Sequence, residues 1–163
     1  MAAENLRDNI DTKQSYCLNQ HPSHPMANLF MGDETLFLKS DCDNQLLICI
    51  VFRQTVKLSS ICVGARPNEF APTSIKLYSN LLSPGFSDVE NHEPAQTIEL
   101  DPETLTPDRK ISLKVVKFQY VNNLTIFIDS NAGGDSTELF SLSLFGNPVA
   151  MACGELKKCC GDS

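Results

Sequence analysis

The sequence predicts an all-β fold, a jelly-roll-like antiparallel β-sandwich of about eight strands. The first observation is a series of alternating or continuously apolar runs rich in β-branched and aromatic residues, which clusters of Pro, Gly, Asn and Asp separate at short intervals. The second is that no helix long enough to connect parallel strands lies between these runs, which excludes a doubly wound fold. A length of 163 residues suits one domain with one core.

Eight runs fit the strand pattern. In chain order they are Thr35–Leu38, Gln45–Phe52, Thr55–Val63, Ser74–Tyr78, Gln96–Leu100, Ile111–Tyr120, Leu124–Ile128 and Glu138–Phe145. Gln45–Phe52 is apolar at almost every position, which predicts a central strand that is covered on both faces.

Two of these runs change phase in the middle. Val56 and Leu58 share one parity, whereas Ile61 and Val63 share the other, and the run Ile111–Tyr120 shows a similar change. Because side chains in a strand alternate with a period of two, each change requires an extra residue. We therefore predict β-bulges near Ser59-Ser60 and Val115-Val116.

The chain divides into three ranges by pattern. Residues 1–26 are predicted to form an N-terminal arm and connector, where the helical spacing of Leu6, Ile10, Lys13 and Cys17 suggests either a short docked helix or an extended arm. Residues 27–148 form the predicted sandwich. Residues 149–163 lose the β pattern and predict a flexible C-terminal tail.

Charge and hydropathy exclude several classes of partner. With 13 Lys and Arg against 20 Asp and Glu, the formal charge of −7 repels nucleic acid and anionic lipid. No apolar run is long enough to span a membrane, and the acidic N-terminus does not resemble a secretory signal. We expect a monomer in the cytosol or nucleus.

The residues that could support catalysis are few. The three histidines lie beside prolines or in loop-like segments, and no nucleophile–histidine constellation accompanies them. We therefore expect no enzyme and no cofactor. Two sets of residues come closest to a metal site: Cys17 with His21 and His24, and Cys153 with Cys159 and Cys160. Neither set has the paired Cys-x-x-Cys spacing that is typical of zinc sites.

The seven cysteines are an odd set, and reduced thiols are expected in a protein without a secretory signal. Cys49 and Cys62 lie within apolar runs and are predicted to be buried. Cys159 and Cys160 follow Lys157 and Lys158, whose charges would lower a thiol pKa, so a redox- or metal-responsive tail stays open beside an inert one.

A small-ligand or carbohydrate-binding jelly roll is a further alternative. Sugar sites stack the sugar on exposed aromatic rings, yet the chain has no Trp and three Tyr, and most of its nine Phe occupy strand positions. The composition therefore weakens this alternative.

Several blocks of sequence resemble the PITH domain, a proteasome-interacting domain that occurs both fused to a thioredoxin-like domain and in stand-alone proteins. The most specific block is Phe37-Leu-Lys-Ser-Asp-Cys-Asp-Asn-Gln-Leu-Leu-Ile. The other blocks, in order, are Cys17-Leu-Asn-Gln, Val56-Lys-Leu-Ser-Ser-Ile, Ile75-Lys-Leu-Tyr-Ser-Asn, Phe86-Ser-Asp-Val-Glu, Glu93-Pro-Ala-Gln, Val116-Lys-Phe-Gln-Tyr-Val-Asn-Asn-Leu-Thr-Ile-Phe-Ile and Gly146-Asn-Pro. The resemblance extends from Ser15 to Val149.

This resemblance implies a galactose-binding-domain-like jelly roll that associates with the regulatory particle of the 26S proteasome, and it supplies no catalytic residue. The chain lacks the Trp-Cys-x-x-Cys motif of the fused redox domain, so no disulfide reductase activity is expected from it. Contacts are expected on loops at one end of the sandwich and on the tail. The candidate partner-binding residues are Lys157, Lys158, Cys159, Cys160 and Ser163.

Overall fold

The computed structural model describes residues 4–31, 33, 35–81, 85–101, 103–106 and 108–149. Its strands are β1 Glu4–Asn5, β2 Tyr16–Leu18, β3 Leu38–Lys39, β4 Leu46–Gly64, β5 Pro72–Ser79, β6 Gln96–Glu99, β7 Ile111–Ser112, β8 Val121–Asn131, β9 Glu138–Leu139 and β10 Ser141–Pro148. Within these ranges, one α-helix, α1, covers Phe86–Asn91, and 3-10 helices cover Arg7–Asn9, Met26–Phe30 and Val115–Lys117.

All strand pairings are antiparallel, as the sequence predicts. The main sheet has the order β1-β10-β4-β8-β5-β6, with β2 and β7 also paired to β4, while β3 and β9 form a separate two-stranded ribbon. None of the helices among the described residues is long and apolar enough to cross a membrane.

Strand β4 organises the sandwich. Its first half pairs with β2 and β8, whereas its second half pairs with β7 and β10, and the register to β8 shifts between Val51 and Val56. The two predicted strands Gln45–Phe52 and Thr55–Val63 are therefore one bent strand of 19 residues. Arg53 and Gln54, which link the two predicted strands, are exposed and polar. Neither is one of the turn-forming residues Gly, Pro, Asn or Asp, and the chain bends there without a turn.

The predicted bulge near Ser59-Ser60 is confirmed. Phe145 pairs with Ser60 while the next residue, Gly146, pairs with Leu58, so Ser59 is the extra residue of β4. The bulge keeps both Leu58 and Ile61 fully buried despite their opposite parity.

The predicted strand Ile111–Tyr120, with its bulge near Val115-Val116, is wrong. Only Ile111–Ser112 pairs as a strand, and Val115–Lys117 forms a 3-10 helix. The helical turn produces the same change of phase as a bulge would, but it leaves Val116 78% exposed and Tyr120 65% exposed.

Apolar side chains fill both faces of the first half of β4. Leu46, Ile48 and Ile50 belong to the main core, whereas Leu47 packs on the opposite face in a smaller cluster. That smaller cluster comprises Leu47, Tyr78, Val89 of α1, and Phe127. The prediction of a central strand covered on both faces is thereby confirmed, as is the burial of Cys49 and Cys62.

The segment assigned to an N-terminal arm contributes to the sheet. Glu4–Asn5 pairs with β10 and Tyr16–Leu18 pairs with β4, and Leu6 and Ile10 are buried in the main core. Among the described residues before Met26, the helical structure is limited to the three residues Arg7–Asn9, and turns and short strands make up the rest. The longer helix suggested by the spacing of Leu6 and Ile10 therefore does not form. The domain boundaries themselves stay a prediction.

Candidate interaction surface

The residues that the sequence singled out for partner binding lie outside the described part of the chain. Lys157, Lys158, Cys159, Cys160 and Ser163 all belong to the range beyond Val149. Their role stays a prediction. The described fold does fix where this range begins, because the Val149 amide donates to the Thr55 carbonyl at 2.9 Å, beside the bend of β4.

Charge is segregated along the chain. Residues 44–68 and 109–128 contain no Asp or Glu, although both stretches contain Lys and Arg. Antiparallel pairing of β4 with β7 joins Ser60 to Ser112 and Ile61 to Ile111, and so brings the two stretches together. Although the net charge of the protein is −7, a cationic edge therefore forms where β4 meets β7.

Two large apolar side chains are exposed at this edge. Val116 and Tyr120 flank Phe118, which is fully buried and anchors the segment in the core. The backbone around them is held from three sides: the Leu58 amide donates to Phe118 O at 2.9 Å, Asn80 Nδ2 donates to Tyr120 O at 2.8 Å, and the Lys114 amide donates to Gln96 Oε1 at 2.8 Å. Val116 and Tyr120 are thus presented on a fixed frame.

Three exposed lysines surround this pair. Lys114 is the N-cap of the 3-10 helix and Lys117 its last residue. Lys57 precedes Leu58, whose amide donates to the C-cap residue Phe118. Within the described residues, no carboxylate forms an ion pair with any of the three. We call Lys57, Lys114, Val116, Lys117 and Tyr120 the lysine-rimmed patch.

The patch has the composition of a protein-binding surface. Exposed aromatic and apolar residues supply binding energy on losing water, and surrounding charges steer a partner of opposite sign. Its lysines form no ion pair with a carboxylate of the described residues, so there they can face acidic groups of a partner. The sequence interpretation missed the patch because it assigned Val116 and Tyr120 to a strand; the signal available was the absence of carboxylates from residues 44–68 and 109–128.

The candidate metal site at Cys17, His21 and His24 does not assemble. Within the described residues, no group of three or more His, Cys, Asp or Glu side chains is close enough to hold a metal ion. The His24 ring stacks on Phe37 with centroids 4.3 Å apart, and Cys17 packs against the main core. Burial raises the pKa of the Cys17 thiol to about 12, which opposes the thiolate that a metal or a redox reaction requires.

A pocket of about 250 Å³ lies on the outer face of the sheet, lined by Tyr16, Cys49, Leu81, Asn122 and Asn123 among others. Its polar groups already have partners within the protein. Asn123 Nδ2 donates to Leu81 O at 2.6 Å, and Asn122 Oδ1 accepts from the Thr55 hydroxyl at 2.6 Å. Burial and the neighbouring Cys49 raise the pKa of Tyr16 to about 12. These amide groups are therefore committed to holding the fold.

Two of the solved structures with a similar fold were determined in complex with a sugar. The CBM32-1 and CBM32-2 domains of Clostridium perfringens ZmpB in complex with GalNAc align with a TM-score of 0.67 at 11% identity, over 91% of this chain and 36% of that one. The family 32 CBM of C. perfringens NanJ in complex with galactose gives a TM-score of 0.60 at 8% identity, over 89% of this chain and 99% of that one. These likenesses confirm the jelly-roll-like sandwich and show the fold alone.

Sequence relatives define the family. Thioredoxin-like protein 1 of Schizosaccharomyces pombe is 40% identical over 164 residues, which cover 94% of this chain and 55% of that protein. PITH domain-containing protein 1 of Homo sapiens is 31% identical over 155 residues, which cover 92% of this chain and 72% of that protein. The sequence model of the PITH domain matches residues 1–158, and the chain belongs to the PITH domain family.

Proposed function

We propose that this chain is a non-catalytic protein-interaction module that docks on the regulatory particle of the 26S proteasome through the lysine-rimmed patch. The family is proteasome-interacting by name, which supports the choice of partner. The observation that carries the choice of surface is the exposure of Val116 and Tyr120, at 78% and 65%, within a stretch that contains four cations and no carboxylate.

The expected partner surface is acidic and has an apolar recess. Tyr120 and Val116 would lose water in such a recess, and aromatic anchors of this kind are enriched among the residues that dominate binding energy. Lys57, Lys114 and Lys117 would raise the rate of association and make it sensitive to salt. We also propose that the chain acts as a monomer in the cytosol or nucleus.

The tail is a second proposed contact in the same region. Asn147 pairs with Lys57 and Pro148 pairs with Val56, so the chain leaves β10 beside the patch. Lys157, Lys158, Cys159, Cys160 and Ser163 follow from that point. Lys157 and Lys158 would add two cations there, although Glu155 and Asp162 leave residues 149–163 without a net positive charge. A contact on the tail and a contact on the patch are therefore compatible with one binding face.

Recovery of purified regulatory particle on the immobilised chain, in reducing buffer at low salt, tests the proposal. We expect Val116→Asp combined with Tyr120→Ala to reduce recovery by at least about tenfold, because the apolar anchors are lost. The matched control is Leu36→Asp, which adds a charge at another exposed apolar residue, 39% exposed, and should leave recovery unchanged.

Charge reversal separates the lysines from the apolar anchors. Lys114→Glu with Lys117→Glu should weaken recovery most at low salt, whereas Lys13→Glu with Lys39→Glu makes the same change in net charge outside the patch and should have little effect. If wild-type chain recovers no regulatory particle, the proposed function is wrong. If it does and all four patch substitutions are silent, the assignment of the patch is wrong.

Removal of residues 150–163 tests the tail separately. This truncation retains Val149 and its hydrogen bond to Thr55, so the sandwich stays intact. A loss of recovery would support the contact through Lys157 to Ser163. Undiminished recovery would show that the tail is not part of the binding face.

A further inference from the structure

A second surface feature lies between the two N-terminal 3-10 helices and the bend of β4. It is a groove of about 440 Å³, within the range of roughly 300–1,000 Å³ typical of ligand sites. We call it the arginine groove and define it by Arg7, Ile10, Phe30, Met31 and Arg53. None of these residues belongs to the lysine-rimmed patch.

The groove has an apolar base. Ile10 is buried and forms an isolated antiparallel bridge with Phe52, while Phe30 is partly buried against the main core. Met31 is 56% exposed beside them. Exposed methionine next to a partly buried phenylalanine is an adaptable apolar surface that favours a bulky aliphatic or aromatic side chain.

Two guanidinium groups flank this base. Arg7 and Arg53 are both exposed, and within the described residues neither forms an ion pair. Asp8, the one carboxylate among the described residues that line the groove, is not within ion-pair distance of either. Guanidinium groups bind carboxylates through two parallel hydrogen bonds, so the free pair is suited to two acidic groups.

The walls of the groove are held in place by the backbone. The Asp11 amide donates to Val51 O at 2.7 Å, and Gln54 Nε2 donates to Asn9 Oδ1 at 3.2 Å. These bonds join the segment of Arg7 to the strand of Arg53 on both sides of the Ile10–Phe52 bridge. The two cations are therefore carried by one connected frame, which lowers the entropic cost of binding.

We propose that the arginine groove binds a short acidic peptide segment of another protein, with one bulky apolar side chain on Ile10, Phe30 and Met31 and carboxylates on Arg7 and Arg53. The net charge of −7 disfavours extended anionic partners such as nucleic acid or an anionic membrane. A short peptide brings few charges and gains contact with the apolar base, so it is the occupant that the groove suits.

Fluorescence anisotropy of the full chain with a labelled probe peptide, Glu-Asp-Leu-Phe-Asp-Glu, tests this proposal. We expect saturable binding that weakens at least about tenfold when Arg7→Gln and Arg53→Gln are combined, since two charge-assisted contacts are lost. Met31→Ser should weaken binding as well. Lys39→Gln, outside the groove, is the matched control and should leave affinity unchanged.

Two altered peptides separate the contributions of charge and apolar contact. A peptide with Gln and Asn in place of the acids, and one with Gly-Gly in place of Leu-Phe, should each bind at least about tenfold more weakly. The patch variant V116D/Y120A should retain full affinity. Absence of saturable binding, equal binding of the neutral peptide, or an equal loss with Lys39→Gln would overturn the proposal.

Discussion

The α-carbon of Gly146 lies so close to the carbonyl of Lys57 that a β-carbon on residue 146 would overlap the carbonyl oxygen. Gly146 is also the residue at which the register of β10 against β4 shifts by one, opposite the extra residue Ser59. The absence of a side chain at 146 therefore allows the bulge and the close strand pairing to exist together.

Gly146→Ala should destabilise the fold by about 2–3 kcal/mol, because either the Lys57 carbonyl or β10 must move. Gly85→Ala is the matched control, since its added β-carbon would meet only Asp88 Oδ2, at 3.7 Å. The free energy of unfolding from urea denaturation measures both. Equal stabilities for the two variants would contradict the role assigned to Gly146.

Tyr78→Phe should cost about 1 kcal/mol. The buried Tyr78 hydroxyl donates to the Val89 carbonyl at 2.9 Å and so fastens α1 to the outer face of the sheet. Tyr120→Phe removes an exposed hydroxyl and should change the free energy of unfolding by less than about 0.5 kcal/mol. A cost for Tyr120→Phe as large as that for Tyr78→Phe would contradict this assignment.

Phe118→Ala should cost about 3–5 kcal/mol, as expected for removal of a fully buried aromatic ring. Phe118→Leu should retain most of the stability but shift the turn that presents Val116 and Tyr120. This milder variant should therefore recover less regulatory particle than the wild-type chain even though most of its stability is retained. Full recovery at reduced stability would show that the turn needs no aromatic anchor.

The stability of the fold should fall in alkaline solution. Burial raises the pKa of Cys17 from 9.0 to about 12, so the folded chain keeps a proton that the unfolded chain releases. Stability from this group is fully present below pH 9.0 and is lost as the pH rises toward about 12. Urea denaturation across that range measures the slope, and Cys17→Ala should make it shallower. An unchanged slope would exclude Cys17 as its source.

The register of the sheet could be predicted from the sequence where only one backbone arrangement fits the side-chain pattern. Around Ser59, the apolar residues on both sides of the phase change are buried, and a bulge allows all of them to face the core. Around Val115 the same pattern has two solutions, because a helical turn shifts the phase as a bulge does. The 3-10 turn forms there, and it exposes Val116 and Tyr120.

The lysine-rimmed patch was harder to predict from the sequence, for a related reason. Apolar residues in a strand-like run are ordinarily part of a core, so Val116 and Tyr120 carried no sign of exposure. The cationic residues around them come from two stretches, near Lys57 and near Lys114, that become neighbours only through the pairing of β4 with β7. The arginine groove likewise joins Arg7 to Arg53, which are far apart in sequence.

The continuity of β4 has a consequence for how the molecule opens. Since Leu46–Gly64 pairs with β2 and β8 at one end and with β7 and β10 at the other, we expect the two halves of the sheet to unfold together. Amide protons at the two ends of β4 should then exchange with solvent through the same global event. The lysine-rimmed patch and the arginine groove, which both include residues of β4, would belong to a single foldon.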